Sequence, residues 1–289
     1  MRGPADTLAS HPLVPSPEMT AIGRGFGRAK ALWAYRGFVM GMVARDFRGR
    51  YFGSVLGASW AILNPLVQIA VYTVVFSQVM RARLPGVPSD GLAYGLYLCA
   101  GLLPWGYLVE VLTRNQVIFL EQANLLKKVS FPRITLPAYV FLSASLNFAI
   151  VWGLFLLFLL VSGRWPGWVL VALVPLLLLQ QIFALALGVF LGVVNVFFRD
   201  IGQLVGVGLQ LWFWFTPIVY PLAVVPEAVQ RLIVLNPAYP LIVSYQGIVV
   251  EHRWPDWMDL WPVLAVAVAA VLIGDQAFRR LSRTMVDEL

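Results

Sequence analysis

Few side chains in this chain have the type and spacing to do chemistry, and they do not assemble into a reactive set. Its 289 residues hold two histidines, His11 and His252, far apart in polar segments, and one cysteine, Cys99, inside an apolar run. A lone cysteine rules out an internal disulfide and gives no cysteine-based metal cluster. No nucleophile lies near a base in the sequence pattern, and no GxxxxGK[ST] phosphate loop or similar cradle occurs. Glu110 and Asp275 are the carboxylates that come near the apolar runs, and both sit close to run ends where water or a basic neighbour reaches them. Asp275 has Arg279 one helical turn later, the spacing of an i, i+4 pair. An acid deep in a membrane marks an ion or proton path; at the ends of runs, these two read as structural. The expectation is a chain with no catalytic residue, no metal site and no cofactor of its own.

The elements that surround these groups are apolar and long. Charge-free runs cover 53–80, 91–109, 134–163, 165–198, 201–226, 232–250 and 260–274. Most reach the roughly 20 apolar residues a helix needs to cross about 30 Å of hydrocarbon. Hydrophobic residues make up 60% of the chain and charged residues 12%, against about 25% charged in soluble domains. No single soluble core of this size hides so much apolar surface. The fold class expected is therefore an all-α polytopic membrane protein with one membrane domain, residues 30–289, after a tail.

Basic residues set the orientation. With the amino-terminal segment placed in the cytoplasm and sides alternated, 16 of the 21 Lys and Arg fall inside and five fall outside: Arg81, Arg83, Arg164, Arg231 and Arg253. That asymmetry follows the positive-inside rule, so the net charge of +7 calls for no nucleic acid. Both termini lie inside only if one of the seven runs fails to cross. The run most open to this is 232–250, interrupted by Asn236, Pro237 and Pro240 and preceded by Pro217, Pro221 and Pro226. Proline removes a backbone donor and ends or kinks a helix. A pair of re-entrant helices suits such a run, since broken backbone is tolerated at membrane depth where it is buried in protein. That leaves six spans.

Residues 1–29 carry no usable pattern; Pro4, Pro12, Pro15 and Pro17 suit a disordered tail. No hydrophobic stretch near the start suggests a cleaved signal peptide. Between 30 and 50, Leu32, Tyr35, Val39, Met42 and Val43 recur at helical spacing among Lys30, Arg36, Arg45, Asp46 and Arg48. The pattern fits a basic helix lying in the membrane interface, or a cytoplasmic helix packed on its own protein. The segment Asn115–Arg133, NQVIFLEQANLLKKVSFPR, is too polar to span. Ile118, Leu125 and Val129 share a helical face with Phe119 and Leu126 beside it, and Pro132 disfavours helix at Phe131. Its apolar face could dock in a groove of a soluble partner or lie on the membrane with snorkelling lysines.

Several motifs in order carry a resemblance. RDFRGRYFGSVLGASWAILNPL (Arg45–Leu66), ANLLKKVSFPR (Ala123–Arg133), FTPIVYP (Phe215–Pro221) and NPAYPLI (Asn236–Ile242) together resemble the permease subunit of ABC-2-type exporters of polysaccharides, the group that moves O antigen, teichoic acid or capsule. The resemblance implies a homodimer of six-span permeases joined to two copies of a separate ATP-binding subunit. That partner would hold the ATP and magnesium, and a lipid-linked polysaccharide would pass between the permeases. It also implies a coupling helix within 115–131, with Ile118, Glu121, Gln122, Asn124, Leu125, Leu126, Lys127 and Lys128 as contacts for the ATPase subunit. Arg36, Arg45, Asp46 and Arg48 would belong to an interface helix, and the prolines of 217–250 to re-entrant helices on the outer side.

Aromatic usage fits a sugar cargo, because sugar rings stack their C–H faces on aromatic planes. Trp105, Tyr107, Trp212, Trp214 and Tyr220, in or beside the second and fifth spans, are candidates to line that path, with core packing as the alternative for each. Trp165, Trp168, Trp254, Trp257 and Trp261 read as outer interfacial belt residues. The rival functions are an ABC-2-type pump for drugs or small lipids, sharing the architecture, and an ATP-independent transporter, which would show repeats or buried ionisable groups. A membrane glycosyltransferase would need an acidic cluster in a large loop, and the loops lack one.

Overall fold

The spans are laid down by helices whose ends follow the sequence's own punctuation. The computed structural model describes residues 30, 32–51, 56–76, 92–129, 131–198 and 200–281. The expected tail and the segment with Arg81 and Arg83 lie outside the described residues. Among the described residues every regular element is helical: α1 (Arg36–Tyr51), α2 (Trp60–Val74), α3 (Ala93–Glu121), α4 (Ala123–Lys128), α5 (Thr135–Val161), α6 (Leu173–Phe197), α7 (Ile201–Trp214), α8 (Glu227–Val234), α9 (Ala238–Gln246) and α10 (Trp261–Leu281).

Among the described residues four stretches are long and apolar enough to cross a membrane: Ala93–Glu121, Thr135–Val161, Gly167–Phe197 and Trp257–Gln276. Two shorter apolar helices, Trp60–Val74 and Ile201–Trp214, accompany them. The run 201–226 is thus not one long span: α7 stops at Trp214, and Thr216-Pro217 opens an irregular stretch because Pro217 cannot supply a helical donor. The run 232–250 is broken as its prolines require. α8 and the helix Ala238–Glu251 meet at a bend of 100°, the geometry of a broken span or a re-entrant loop. His252, in the left-handed region at φ 53°, ends that second arm.

Two apolar clusters hold the bundle. The larger runs through the membrane level of α3, α5, α6 and α9, around Leu98, Val111, Phe155, Phe183 and Tyr245. The smaller gathers Val39, Met42 and Val43 of α1 with Ile118 and Phe119 of α3, Leu136 and Val140 of α5, and Val193 and Val196 of α6. The α3–α6 seam is tight because α6 presents Gly188 and Gly192, four residues apart, towards Asn115 of α3. Small residues at that spacing let helix backbones approach in a membrane, where apolar burial alone drives little association. Polar cross-links finish the seam. Asn195 Nδ2 donates to the Gln116 carbonyl at 2.8 Å, and Gln180 Nε2 to the Pro104 carbonyl at 2.7 Å. The Tyr245 hydroxyl donates in turn to Gln180 Oε1 at 2.5 Å. Such groups need partners inside the chain, because hydrocarbon offers none.

Candidate functional site

At 1.5 Å per residue the 29 residues of α3 extend about 44 Å, well past about 30 Å of hydrocarbon. The helix is therefore longer than the hydrocarbon layer, and α4 follows directly on its last turn. This corrects the expected single helix over 115–131. Residues 115–121 belong to α3, the chain breaks at Gln122 (φ −99°, ψ 19°), and a separate six-residue α4 follows. The cause is burial: Asn115, Gln116, Ile118 and Phe119 are enclosed by neighbouring helices, which holds α3 helical to Glu121.

Ile118, at 1% exposure, packs within the smaller apolar cluster, so its contacts are with its own chain. Leu125 and Leu126 are half-buried against that cluster. Glu121, Asn124, Lys127 and Lys128 are exposed and Gln122 partly so, and α4 contains no buried residue. The shared apolar face inferred for Ile118, Leu125 and Val129 does not form. Ile118 turns inward, whereas Val129, in extended backbone after α4, is exposed.

Of the face expected on α1, Val39, Met42 and Val43 are buried on α5 and α3, whereas Leu32 is only partly buried. Tyr35 and Trp33 are exposed, with the Arg36 guanidinium 5.0 Å over the Trp33 ring. Arg45 and Arg48 are exposed. Asp46 does something the sequence pattern did not show. Arg114 of α3 donates to Asp46 Oδ1 at 2.9 Å and to Glu110 Oε1 at 3.3 Å. Arg50 donates to Asp46 Oδ2 at 3.2 Å and to Glu110 Oε1 at 2.6 Å. Ser143 of α5 donates to Asp46, and Asn147 of α5 to Glu110 Oε2 at 2.9 Å.

Two carboxylates and two guanidiniums thus neutralise one another between α1 and α3, joined from α5 by Ser143 and Asn147, with the charged side chains 19–28% exposed. Charges at that depth are tolerable only when paired and hydrogen-bonded. Glu110 is structural, as its position suggested. Arg50, Arg114, Ser143 and Asn147 were missed, and the available signals were Asp46-Arg50 and Glu110-Arg114, both at i, i+4. A cleft of about 200 Å³ opens beside the network, lined by Gln68, Gly106, Tyr107, Glu110 and Asn147. Among the described residues no group of three or more His, Cys, Asp or Glu side chains is placed to hold a metal ion.

The five path candidates divide. Trp105 and Tyr107 are core residues: Trp105 meets Trp212 edge-on at 5.6 Å, and the Tyr107 hydroxyl lies 3.2 Å from Ser145 Oγ. Trp212 is half-buried, Tyr220 is partly exposed with its hydroxyl donating to the Trp214 carbonyl, and Trp214 is 57% exposed. Of the five, Trp214 presents the most open ring.

Asn236, noted in the sequence as an interruption and as the start of NPAYPLI, ties the FTPIVYP and NPAYPLI motifs together. Its Oδ1 accepts from Trp212 Nε1 at 2.6 Å and from the Ala238 amide at 3.0 Å. Its Nδ2 donates to the Phe215 carbonyl at 3.1 Å and to Thr216 Oγ1 at 2.8 Å. From α3, the Tyr94 hydroxyl donates to the Val219 carbonyl at 2.6 Å and the Tyr97 hydroxyl to the Tyr220 carbonyl at 3.0 Å. The Asn-Pro pair at a helix start was the legible signal for such a cap. Asn236→Ala is expected to cost about 2–3 kcal/mol, since it strands the Trp212 donor and opens the cap. A lower thermal midpoint of the purified chain in detergent, with Asn236→Asp intermediate, would report it; an unchanged midpoint would contradict it.

Comparison with known proteins agrees with this architecture. The sequence profile of a family described as ABC-2 type transporter matches residues 38–250. The chain is 35% identical over 251 residues to the O-antigen export system permease protein RfbA of Myxococcus xanthus, covering 86% of this chain and 94% of that one. It is 31% identical over 205 residues to an RfbA of Klebsiella pneumoniae, covering 71% and 76%. A second Klebsiella pneumoniae RfbA is 32% identical over 203 residues, covering 70% and 76%.

Proposed function

The chain belongs to the ABC-2 type transporter family, and we propose that it is the permease subunit of an ATP-driven exporter carrying a lipid-linked polysaccharide, O antigen in the first instance, across the bacterial inner membrane. The observation that carries this reading is the likeness to permeases named for O-antigen export, which extends over 94% of one such relative. In this reading α2, α3, α5, α6, α7 and α10 are the six spans, with both termini cytoplasmic and α8–α9 re-entering from the outer side. α1 lies along the inner membrane surface, its basic, outward residues Arg36, Arg45 and Arg48 towards anionic headgroups. Two permeases pair, and each seats α4 in a cleft of one ATP-binding subunit, which supplies ATP and magnesium; this chain supplies no hydrolysis and no cofactor.

The mechanism follows from stiffness. α4 is joined to α3 at Gln122, α3 is one helix from Glu121 to the membrane's far side, and the Asp46–Arg114–Glu110–Arg50 network fastens α1 and α5 to it. When ATP draws the partner subunits together, α4 moves with them and the shift passes along α3 into the bundle. The polymer passes between the paired permeases over exposed aromatic faces such as Trp214, whose weak stacking guides sugar rings without trapping them.

Glu121→Arg combined with Asn124→Trp tests this reading, because both side chains are exposed and Leu125 is part of the chain's own packing. The variant is expected to insert normally, to lose co-purification with the ATPase subunit and to lower export at least about tenfold, the effect of disrupting about 1.4 kcal/mol or more of contact. Undiminished export with the partner still bound would overturn the docking role of α4.

A further inference from the structure

The segment 215–221, after α7, contains Pro217 and Pro221 and leaves a row of backbone carbonyls outside any helical ladder. Pro217 and Ile218 are buried, and carbonyls shielded from water need donors from the chain itself. Side chains of two other elements supply them. The Tyr94 hydroxyl of α3 donates to the Val219 carbonyl at 2.6 Å. One helical turn on, the Tyr97 hydroxyl lies 3.0 Å from the Tyr220 carbonyl and 3.2 Å from that of Pro217, within reach of both. Gln246, the last residue of α9, donates Nε2 to the Ile218 carbonyl at 3.2 Å. Four consecutive carbonyls, 217 to 220, are thus held by α3 or α9.

The packing below these bonds leaves little slack. A Cβ at Gly101 of α3 would stand 2.8 Å from Gln246 Nε2, 3.2 Å from Ile218 Cγ2 and 3.4 Å from Ile242 Cγ2. Pro104 removes one donor from the ladder of α3. At that point Gln180 of α6 bonds its carbonyl, and Tyr245 of α9 bonds Gln180. α3, the segment 215–221 and α9 are therefore joined at three levels. Tyr97 lies 24 residues before Glu121, about 36 Å along one helix. The segment also leads back to the exposed ring of Trp214, whose carbonyl accepts from the Tyr220 hydroxyl.

We propose that Tyr94 and Tyr97 are positioning residues for transport: they tie segment 215–221 to α3, so that movement entering at α4 shifts this segment and opens the outer end of the path. The proposal rests on the export reading and adds the element that answers the coupling helix on the other side of the membrane. Hydroxyls that served folding alone would, when removed, lower folded protein and every activity together.

The test uses the chain with its ATP-binding subunit and compares wild type with Tyr94→Phe combined with Tyr97→Phe, which keeps both rings and removes both hydroxyls. The double variant is expected to keep partner binding and ATP hydrolysis within about twofold while export falls at least about tenfold, a typical size for coupling between distant sites. A second readout follows the segment. Val224→Cys, at a position 62% exposed, is combined with Cys99→Ala, which removes the chain's native cysteine. Its labelling by a maleimide in lipid nanodiscs should differ between nucleotide-free and ATP-bound complexes, and the difference should vanish in the double variant. Tyr97→Phe alone serves if the double variant does not fold. Undiminished export by these variants, or equal labelling in the two wild-type states, overturns the proposal. A parallel fall of hydrolysis and export overturns it too, because it marks a role in folding alone. A wild-type chain that holds no ATP-binding subunit overturns the export reading, and the proposal with it.

Discussion

Replacing Arg114 by alanine is expected to detach α1 from α3 and α5 and to abolish transport while leaving the chain in the membrane. Arg114 touches Asp46 on α1, Glu110 on its own helix and Ser143 on α5. Its removal leaves two carboxylates sharing Arg50 in a partly enclosed site. Breaking a buried pair costs about 3–5 kcal/mol, and with a quarter of each side chain still exposed the cost here should be about 2–3 kcal/mol. Asp46→Asn should cost less, because the amide oxygen still accepts from Arg114 and the Ser143 hydroxyl can turn to accept from the amide NH2. Arg114→Lys should fall between, since an ammonium cannot fork to both acids. Thermal midpoints in detergent and a double-mutant cycle on Asp46 and Arg114 would measure it. A coupling energy near zero would show that the ion pairs do not fasten α1 to the bundle. An Arg114→Ala chain that unfolds less than about 1 kcal/mol more easily, yet stops export, would place the effect in transmission and not in stability.

Gly192→Leu is expected to be the most damaging substitution in the membrane core. A Cβ at this position would stand 2.4 Å from the Asn115 carbonyl oxygen and 3.3 Å from Phe119 Cε2. The nearer atom is backbone, so α3 and α6 must separate. Separation would also stretch the Asn195–Gln116 bond and reopen the Gly188 contact, where a Cβ would meet Asn115 Cβ at 3.1 Å. Overpacking of this kind costs about 1–3 kcal/mol per site and more when helices shift. Gly192→Ala should already lower the thermal midpoint by several degrees, and Gly192→Leu should remove most folded protein. Gly206→Ala on α7, with nothing within 4 Å of its Cβ, is the control and should be neutral or slightly stabilising. Equal yields of folded protein from Gly192→Leu and Gly206→Ala would show that the close approach of α3 and α6 is not required.

What the sequence determined by itself was everything governed by period and length. Apolar runs of membrane-crossing length fixed the helical membrane class, Pro217, Pro226 and Pro237 marked where helices break while Pro240 sits in the first turn of α9, and the spacing of Val39, Met42 and Val43 marked the buried face of α1, from which Tyr35 departs. The motifs quoted in order led to the family. The tertiary structure decided which of two partners each face met. The periodicity of Ile118 and Leu125 could not distinguish a face turned to a soluble partner from one turned to α1 and α5, since both are apolar surfaces. Only packing showed Ile118 enclosed and α3 continued to Glu121. The network of Asp46, Arg50, Glu110, Arg114, Ser143 and Asn147 joins residues up to 97 positions apart. No local pattern encodes such a contact, because charge pairing depends on distance in space. The same holds for Asn236, whose four bonds reach back over 20 or more residues to Trp212, Phe215 and Thr216 as well as forward to Ala238. For Trp105 and Tyr107 the aromatic composition permitted both a lining and a core role; the fold buries both, Trp105 against Trp212 and Phe213 and Tyr107 against Phe148 at the edge of the cleft beside Glu110.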